Sequence, residues 1–241
     1  MRRREIFYAP CILANSEFLE VLMNDLLFLT WVRSTGLDIA IGIFVLGTLW
    51  RLFEIYSLGR KPDLAVPRHR AGASGLHTMF RRSIPPPGMF KRSAISYVAG
   101  YVFHIGLAVI VFLFAQHIKL IQELTGLSWP GLPSQFIDAT AVVTLATMLL
   151  VLVERINKPV KRFLSTFEDY AAWALTFLPV MTGYLATKHL LLSYTWMLAL
   201  HILSVELLLI FLPFTKLIHV FTLWGSRWYN GDANAKKGVP V

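Results

Sequence analysis

The sequence predicts an all-α integral membrane protein, a bundle of five transmembrane helices with its N-terminus outside and its C-terminus cytoplasmic. Three observations lead there. Of 241 residues, 56% are hydrophobic and 15% charged, against roughly a quarter charged in an average soluble chain. The charged residues, 23 Lys and Arg with 14 Asp and Glu, gather in short blocks between long apolar runs. Five apolar stretches, residues 36–58, 93–118, 136–153, 167–187 and 190–223, approach or exceed the ~20 residues a helix needs to cross a hydrocarbon core. The same distribution argues against nucleic-acid binding, because the basic residues behind the net charge of +9 flank apolar spans and form no stripe interleaved with aromatics.

Taken in order, residues 1–35 form an extracytoplasmic N-terminal segment. Arg2, Arg3 and Arg4 open it, but Glu17, Glu20 and Asp25 follow, which makes a poor secretory signal; Met23 offers an alternative start. The loop 59–92 carries Arg60, Lys61, Arg68, Arg70, Arg81, Arg82, Lys91 and Arg92. Pro62, Pro67, a small-residue run at 72–75 and Pro85, Pro86 and Pro87 make residues 63–87 read as an irregular, basic tether or docking surface. The third loop, 154–166, carries Arg155, Lys158, Lys161 and Arg162, and the tail 225–241 adds Arg227, Lys236 and Lys237. Fifteen of the 23 cations thus fall on one side, which the positive-inside rule assigns to the cytoplasm. The membrane domain is 36–224, and Pro213 should bend its last helix. One cysteine, Cys11, forms no internal disulfide and holds no iron–sulfur cluster, which takes about four thiolates. Any cluster belongs to a partner.

The chemistry sits in the histidines. Four of the seven fall inside two spans: His104 and His117 on the second, His201 and His219 on the fifth. An ionisable group within the membrane marks function, and neutral imidazole is the commonest metal ligand. Because these two helices run antiparallel, His104 faces His219 toward the cytoplasm and His117 faces His201 toward the outside. Intervals of 13 and 18 residues correspond to about 19.5 Å and 27 Å, a mismatch that tilt and the Pro213 bend absorb. A planar cofactor held between two imidazoles fits each pair, and b-type haem is the candidate. Rotation is less favourable: 18 residues return to one face, whereas 13 leave His117 about 140° from His104 on a straight helix. Gly100 and Gly106 flank His104 and leave room for a flat macrocycle or for close helix packing. His69, His77 and His189 lie in loops. No H-E-x-x-H, phosphate loop or nucleophile elbow is present.

Phe103-His104-Ile105-Gly106, Leu200-His201 and Leu212-Pro213-Phe214-Thr215-Lys216-Leu217-Ile218-His219 resemble the membrane cytochrome b (gamma) subunit of respiratory nitrate reductase, over about residues 36–224. The resemblance implies two haems b that take electrons from membrane quinol and deliver them to an iron–sulfur partner on the cytoplasmic side. It would make His104 and His219 the axial ligands of the cytoplasmic-side haem and His201 a ligand of the outer one; His117, paired with His201 by the helix arrangement, departs from the family's pattern. The nitrate reductase interval on the second helix is shorter and would fall near Phe114. The longer interval and the run Ser165-Thr166-Phe167-Glu168-Asp169-Tyr170 look more like membrane cytochromes of sulfite-reductase-associated and heterodisulfide-reductase-like complexes.

On this reading the chain is the electron-transfer subunit of a quinone-linked oxidoreductase complex in the cell inner membrane, and completes no catalytic cycle alone. Gln116, His117, Lys119 and Lys188 are candidates for a quinone site near the outer haem, Arg92, Arg162 and Arg227 for partners of haem propionates, and Glu206 for a proton relay. The rivals are a proton-coupled transporter, for which the sequence offers no inverted repeat, and a cofactor-free membrane anchor.

Overall fold

The computed structural model describes residues 23–59, 66–68 and 73–239, and among these it contains helices and no strand. Arg2, Arg3, Arg4, Cys11, Glu17 and Glu20, with Arg60, Lys61, Pro62, Asp63, His69 and Arg70 of the loop, lie outside the described residues. The first helix, α1 (Met23–Ser57), starts thirteen residues before the expected span and contains a π turn at Val32–Gly36. After it come α2 (Ala73–Arg81), α3 (Pro87–Leu113), α4 (Ala115–Thr125), α5 (Ser134–Asn157), α6 (Pro159–Leu164), α7 (Phe167–Thr187), α8 (Tyr194–Phe211) and α9 (His219–Lys236). Among the described residues, α1, α3, α5 and the stretch Tyr194–Phe214 are long and apolar enough to cross a membrane. This is a multi-pass helical membrane bundle. Side chains such as Leu46, Phe53 and Tyr56 stay exposed because lipid is their solvent.

The helix α7 has the expected bounds, but Glu168 and Asp169 occupy its first turn. Thr166 starts it with a capping box shared with Asp169. Packing runs α1 on α8, α8 on α7, α7 on α5 and α5 on α3. No comparable contact joins α3 to α8, so α3, α5, α7 and α8 form a ring left open between its first and last members. Gly36 of α1 meets Glu206 and Gly47 meets Pro213 and Phe214, so α1 and α8 run parallel.

Several expectations are corrected. The loop 59–92 is not irregular throughout: α2 packs along α9, where Gly75 lies under the Trp228 ring and Phe80 meets Trp224. The second span begins at Pro87, whose missing N–H costs nothing in a first turn, and kinks at Ser93 (φ −139°, ψ 31°). It does not continue to residue 118 but breaks at Phe114, which is extended (φ −81°, ψ 126°). The fifth span ends its α-helix at Phe211, passes through two 3₁₀ turns, Leu212–Phe214 and Lys216–Ile218, and resumes as α9, so most of the tail is helical.

One polar knot ties α3, α5 and α6 together. Glu154 accepts Ser96 Oγ at 2.5 Å and Lys161 Nζ at 2.8 Å, with Lys158 as a third donor. Deeper in the bundle, a Cβ on Gly106 would stand 2.0 Å from Thr144 Oγ1, while one on Gly100 would meet nothing within 4 Å. Gly106 therefore serves the approach of α5. Gly106→Val should lower the thermal unfolding midpoint in detergent by the equivalent of about 1–3 kcal/mol of overpacking, whereas Gly100→Ala should not lower it.

Candidate functional site

The open side of the ring is where the histidines meet. The ring centroids of His104 and His219 are 6.2 Å apart with planes at 81°, and those of His117 and His201 are 6.1 Å apart with planes at 19°. Both pairs line one cavity of about 590 Å³, a size typical of small-molecule and cofactor sites, roughly 300–1,000 Å³. The two chain breaks create these meetings. The extended residue Phe114 swings His117 off the face that a straight helix would give it. The 3₁₀ turns after Pro213 re-aim the chain so that His219 reaches His104.

Each imidazole is held in the same way. Nδ1–H donates to a main-chain carbonyl: Gly100 for His104 (2.7 Å), Ile110 for His117 (2.9 Å), Pro179 for His201 (3.0 Å) and Lys216 for His219 (2.8 Å). A carbonyl only accepts, so the proton sits on Nδ1 and the Nε2 lone pair is free. That is the arrangement of a metal-ligating imidazole whose outer nitrogen is anchored to the backbone. For His117 the partner exists because of the break. The last carbonyls of α3 have no helical N–H to accept; Ile110 takes the His117 ring, Phe112 the Trp129 indole at 2.5 Å, and Leu113 the Leu132 N–H at 2.8 Å.

The cavity wall is almost entirely apolar, Leu107, Met148, Val180 and Leu208 among its members, with Trp173 fixed by a 2.9 Å bond to the Met148 carbonyl. Its charged residues besides the histidines are Arg155, Asp169 and Lys216. Asp169 accepts Lys216 Nζ at 3.0 Å, and Arg155 Nη1 lies 3.5 Å from its other oxygen. The Lys216 main-chain N–H donates to Glu168 at 2.9 Å. The first turn of α7 thus grips the turn that presents His219.

Other expected residues lie elsewhere. Arg92, Arg162 and Arg227 do not line the cavity; Arg227 donates to Ser83 Oγ at 2.7 Å and the Met79 carbonyl at 3.4 Å. Gln116 and Lys119 are exposed on α4. Lys188 pairs with Asp138, whose carboxylate raises the lysine pKa above its ordinary value. Glu206 is 4% exposed and faces α1, away from the cavity, with Oε1 unpartnered among the described residues. His189 meets the Tyr194 ring at a tilt of 41°, with centroids 5.1 Å apart, and His77 is exposed on α2.

Sequence reasoning missed the residues that shape the His201 pocket. Pro179 supplies the carbonyl, Thr182 Oγ1 lies 3.4 Å from Nδ1 and 3.1 Å from Ser204 Oγ, and a Cβ on Gly183 would stand 3.0 Å from the ring. A proline and a glycine four residues apart inside an apolar helix were the available signal. It also missed the roles of Arg155, counted as a topology charge, and of Asp169 and Lys216, which entered only as parts of the runs that carry the resemblance. No group of three or more His, Cys, Asp or Glu side chains is placed to hold a metal among the described residues; the histidines come as twos. Asp169→Ala removes both a helix cap and the acceptor of two cations, and is expected to cost about 1–3 kcal/mol of stability, measured by thermal unfolding in detergent, with Glu168→Ala costing less.

No family model matches the chain, and no solved structure does. A protein of Nitratidesulfovibrio vulgaris (strain Hildenborough), described only as "Protein", is 32% identical over 198 residues, which cover 81% of this chain and 84% of that one. The chain belongs to the family of that Nitratidesulfovibrio vulgaris protein.

Proposed function

We propose that this chain is a di-haem b membrane subunit, similar to the nitrate reductase gamma subunit, that transfers electrons between the quinone pool and an iron–sulfur partner on the cytoplasmic side of the inner membrane. The observation that carries the reading is the spacing of the histidine rings. An imidazole nitrogen binds a first-row metal at about 2.0–2.1 Å, and a five-membered ring with bonds of about 1.33 Å has a radius of roughly 1.1 Å. Two imidazoles on opposite sides of one metal ion would therefore have centroids about 6.2–6.4 Å apart by the same bond lengths. The observed separations are 6.2 and 6.1 Å.

Free Nε2 lone pairs and the gap between α3 and α8 support it further. His104 and His219 would hold one haem, His117 and His201 the other. Haem, when bound, supplies the one-electron redox chemistry. The chain's own residues orient the imidazoles through Gly100, Ile110, Pro179 and Lys216, and exclude water with an apolar wall. Five crossings with the N-terminus outside follow if α7 also spans, and the parallel course of α1 and α8 is consistent with three helices crossing between them. Gln116 and Lys119 remain the proposed polar groups for a quinone near the His117 pair.

Purified subunit from haem-replete cells should show two haems b per chain by pyridine haemochromogen assay, and His104→Ala or His219→Ala should leave one. A single haem in the unaltered protein would remove His117 as a ligand, and none in folded protein would turn the reading to a transporter or an anchor. The ring angles predict two distinct low-spin ferric EPR signals. Near-parallel imidazoles split the two iron orbitals that carry the unpaired electron, whereas perpendicular ones leave them close in energy. The His117 and His201 pair should give the rhombic signal, the His104 and His219 pair the more axial one, and His219→Ala should remove only the latter.

A further inference from the structure

We infer, resting on the di-haem reading, that Arg155 and Lys216 seat the carboxylate edge of the cofactor held by His104 and His219, and thereby set its redox potential. A haem is an apolar disc with two carboxylates on one edge, so its cavity must be apolar except where that edge lies. The cavity meets that description. Its non-histidine charged lining consists of Arg155, Asp169 and Lys216. Lys216 lies three residues before His219, which puts the cluster at the His104 and His219 end.

Hydrogen-bond capacity decides which way the cluster is directed. Asp169 is held through Oδ2, which accepts from the Thr166 main chain (2.9 Å), the Thr166 hydroxyl (3.1 Å) and Lys216 Nζ (3.0 Å), while Oδ1 faces Arg155 Nη1 at 3.5 Å; its side chain is 13% exposed. The cations are not committed. Arg155 has five donors and gives one to Ser165 Oγ at 2.9 Å, while its approach to Asp169 is 3.5 Å. Lys216 has three donors and gives one to Asp169. Two cations against one carboxylate leave the lining at +1, a charge that one anionic group would balance. A guanidinium fork beside an ammonium is suited to receive a carboxylate. Arg92, Arg162 and Arg227, the cations expected for this task, are not in the wall.

Oxidised haem iron carries one more positive charge than reduced iron. Cations at its edge therefore favour the reduced form, with an effect that grows in a low-dielectric cavity. The test is an optical redox titration of the haem-loaded protein. Arg155→Leu and Lys216→Met should each lower the midpoint of one haem, the one whose axial-type EPR signal His219→Ala removes, and leave the other in place. Arg155→Lys and Lys216→Arg should largely restore it, and Asp169→Asn should raise it. Two haems with unshifted midpoints in both neutral variants would overturn the inference and leave the di-haem reading standing. Absence of haem from the unaltered protein would instead sink that reading. Loss of one haem in a neutral variant counts for the seat if Lys216→Arg or Arg155→Lys restores binding, and against it if charge-conserving variants do not.

Discussion

The bond from each Nδ1–H to a main-chain carbonyl is the interaction on which the arrangement depends. In a hydrocarbon-filled interior an imidazole has two polar nitrogens to account for and no water to satisfy either. Tying Nδ1 to the backbone satisfies the donor, fixes the ring, and leaves one lone pair directed into the cavity. The acceptors differ in origin. Gly100 lies one turn earlier on His104's own helix, Ile110 is a helix-end carbonyl freed by the Phe114 break, Pro179 lies across the bundle on α7, and Lys216 belongs to the turn that leads into α9. Four unrelated local solutions give one mode of anchoring, through Nδ1, while the ring planes of the two pairs differ, at 81° and 19°.

Breaks in the helices provide the rest. An unbroken α3 would carry His117 away from His104 by about 140° at 100° per residue, and an unbroken α8 would carry His219 past its partner. Phe114 and the Leu212–Ile218 region remove both problems, and each break is stabilised locally. Trp129 and the Leu132 N–H close the end of α3, while Thr215 Oγ1 accepts the Leu217 N–H and Glu168 accepts that of Lys216. Pro213 is fully buried against Gly47 of α1, so the interruption of α8 is packed, not frayed. The runs Ser165 to Tyr170 and Thr215 to His219, far apart in sequence, meet as one structural unit through Glu168, Asp169 and Lys216.

Much of this was legible in the amino acids, because hydropathy registers lipid exposure directly and an ionisable residue in an apolar span stands out by contrast. The pairing of His104 with His219 and of His117 with His201 followed from antiparallel helices and intervals alone. What was not legible depended on backbone departures from ideality. Nothing in Leu113-Phe114-Ala115 marks a helix break: no glycine or proline is present, and the interruption is set by tertiary acceptors for the freed carbonyls. The helix α2 escaped notice because the glycines and prolines around it outweigh nine residues of amphipathic pattern, and only packing on Trp224 and Trp228 reveals its purpose. Arg155 was hidden by a different ambiguity, since a cation at a membrane boundary reads equally as a topology signal, and Lys216 by its place inside the fifth apolar span.

The two histidine pairs are chemically alike and physically unequal, and the inequality has a direction. His117 and His201 are half-buried with nearly parallel rings; His104 and His219 are exposed, have perpendicular rings and lie at the end of the shared cavity that Arg155, Asp169 and Lys216 line, with Lys216 three residues before His219. On the proposed reading, electrons moving between two such sites would meet a step set by the protein and not by the cofactor, because the ligands are identical. If both pairs hold haem as proposed, a cation-rich environment would stabilise the reduced state at the His104 and His219 end, and the downhill direction in isolation would run from the His117 pair toward the His104 pair. That would be the direction the proposed function requires. Such a gradient would be contained in Arg155, Asp169 and Lys216, three residues that line the cavity without being metal ligands in this reading.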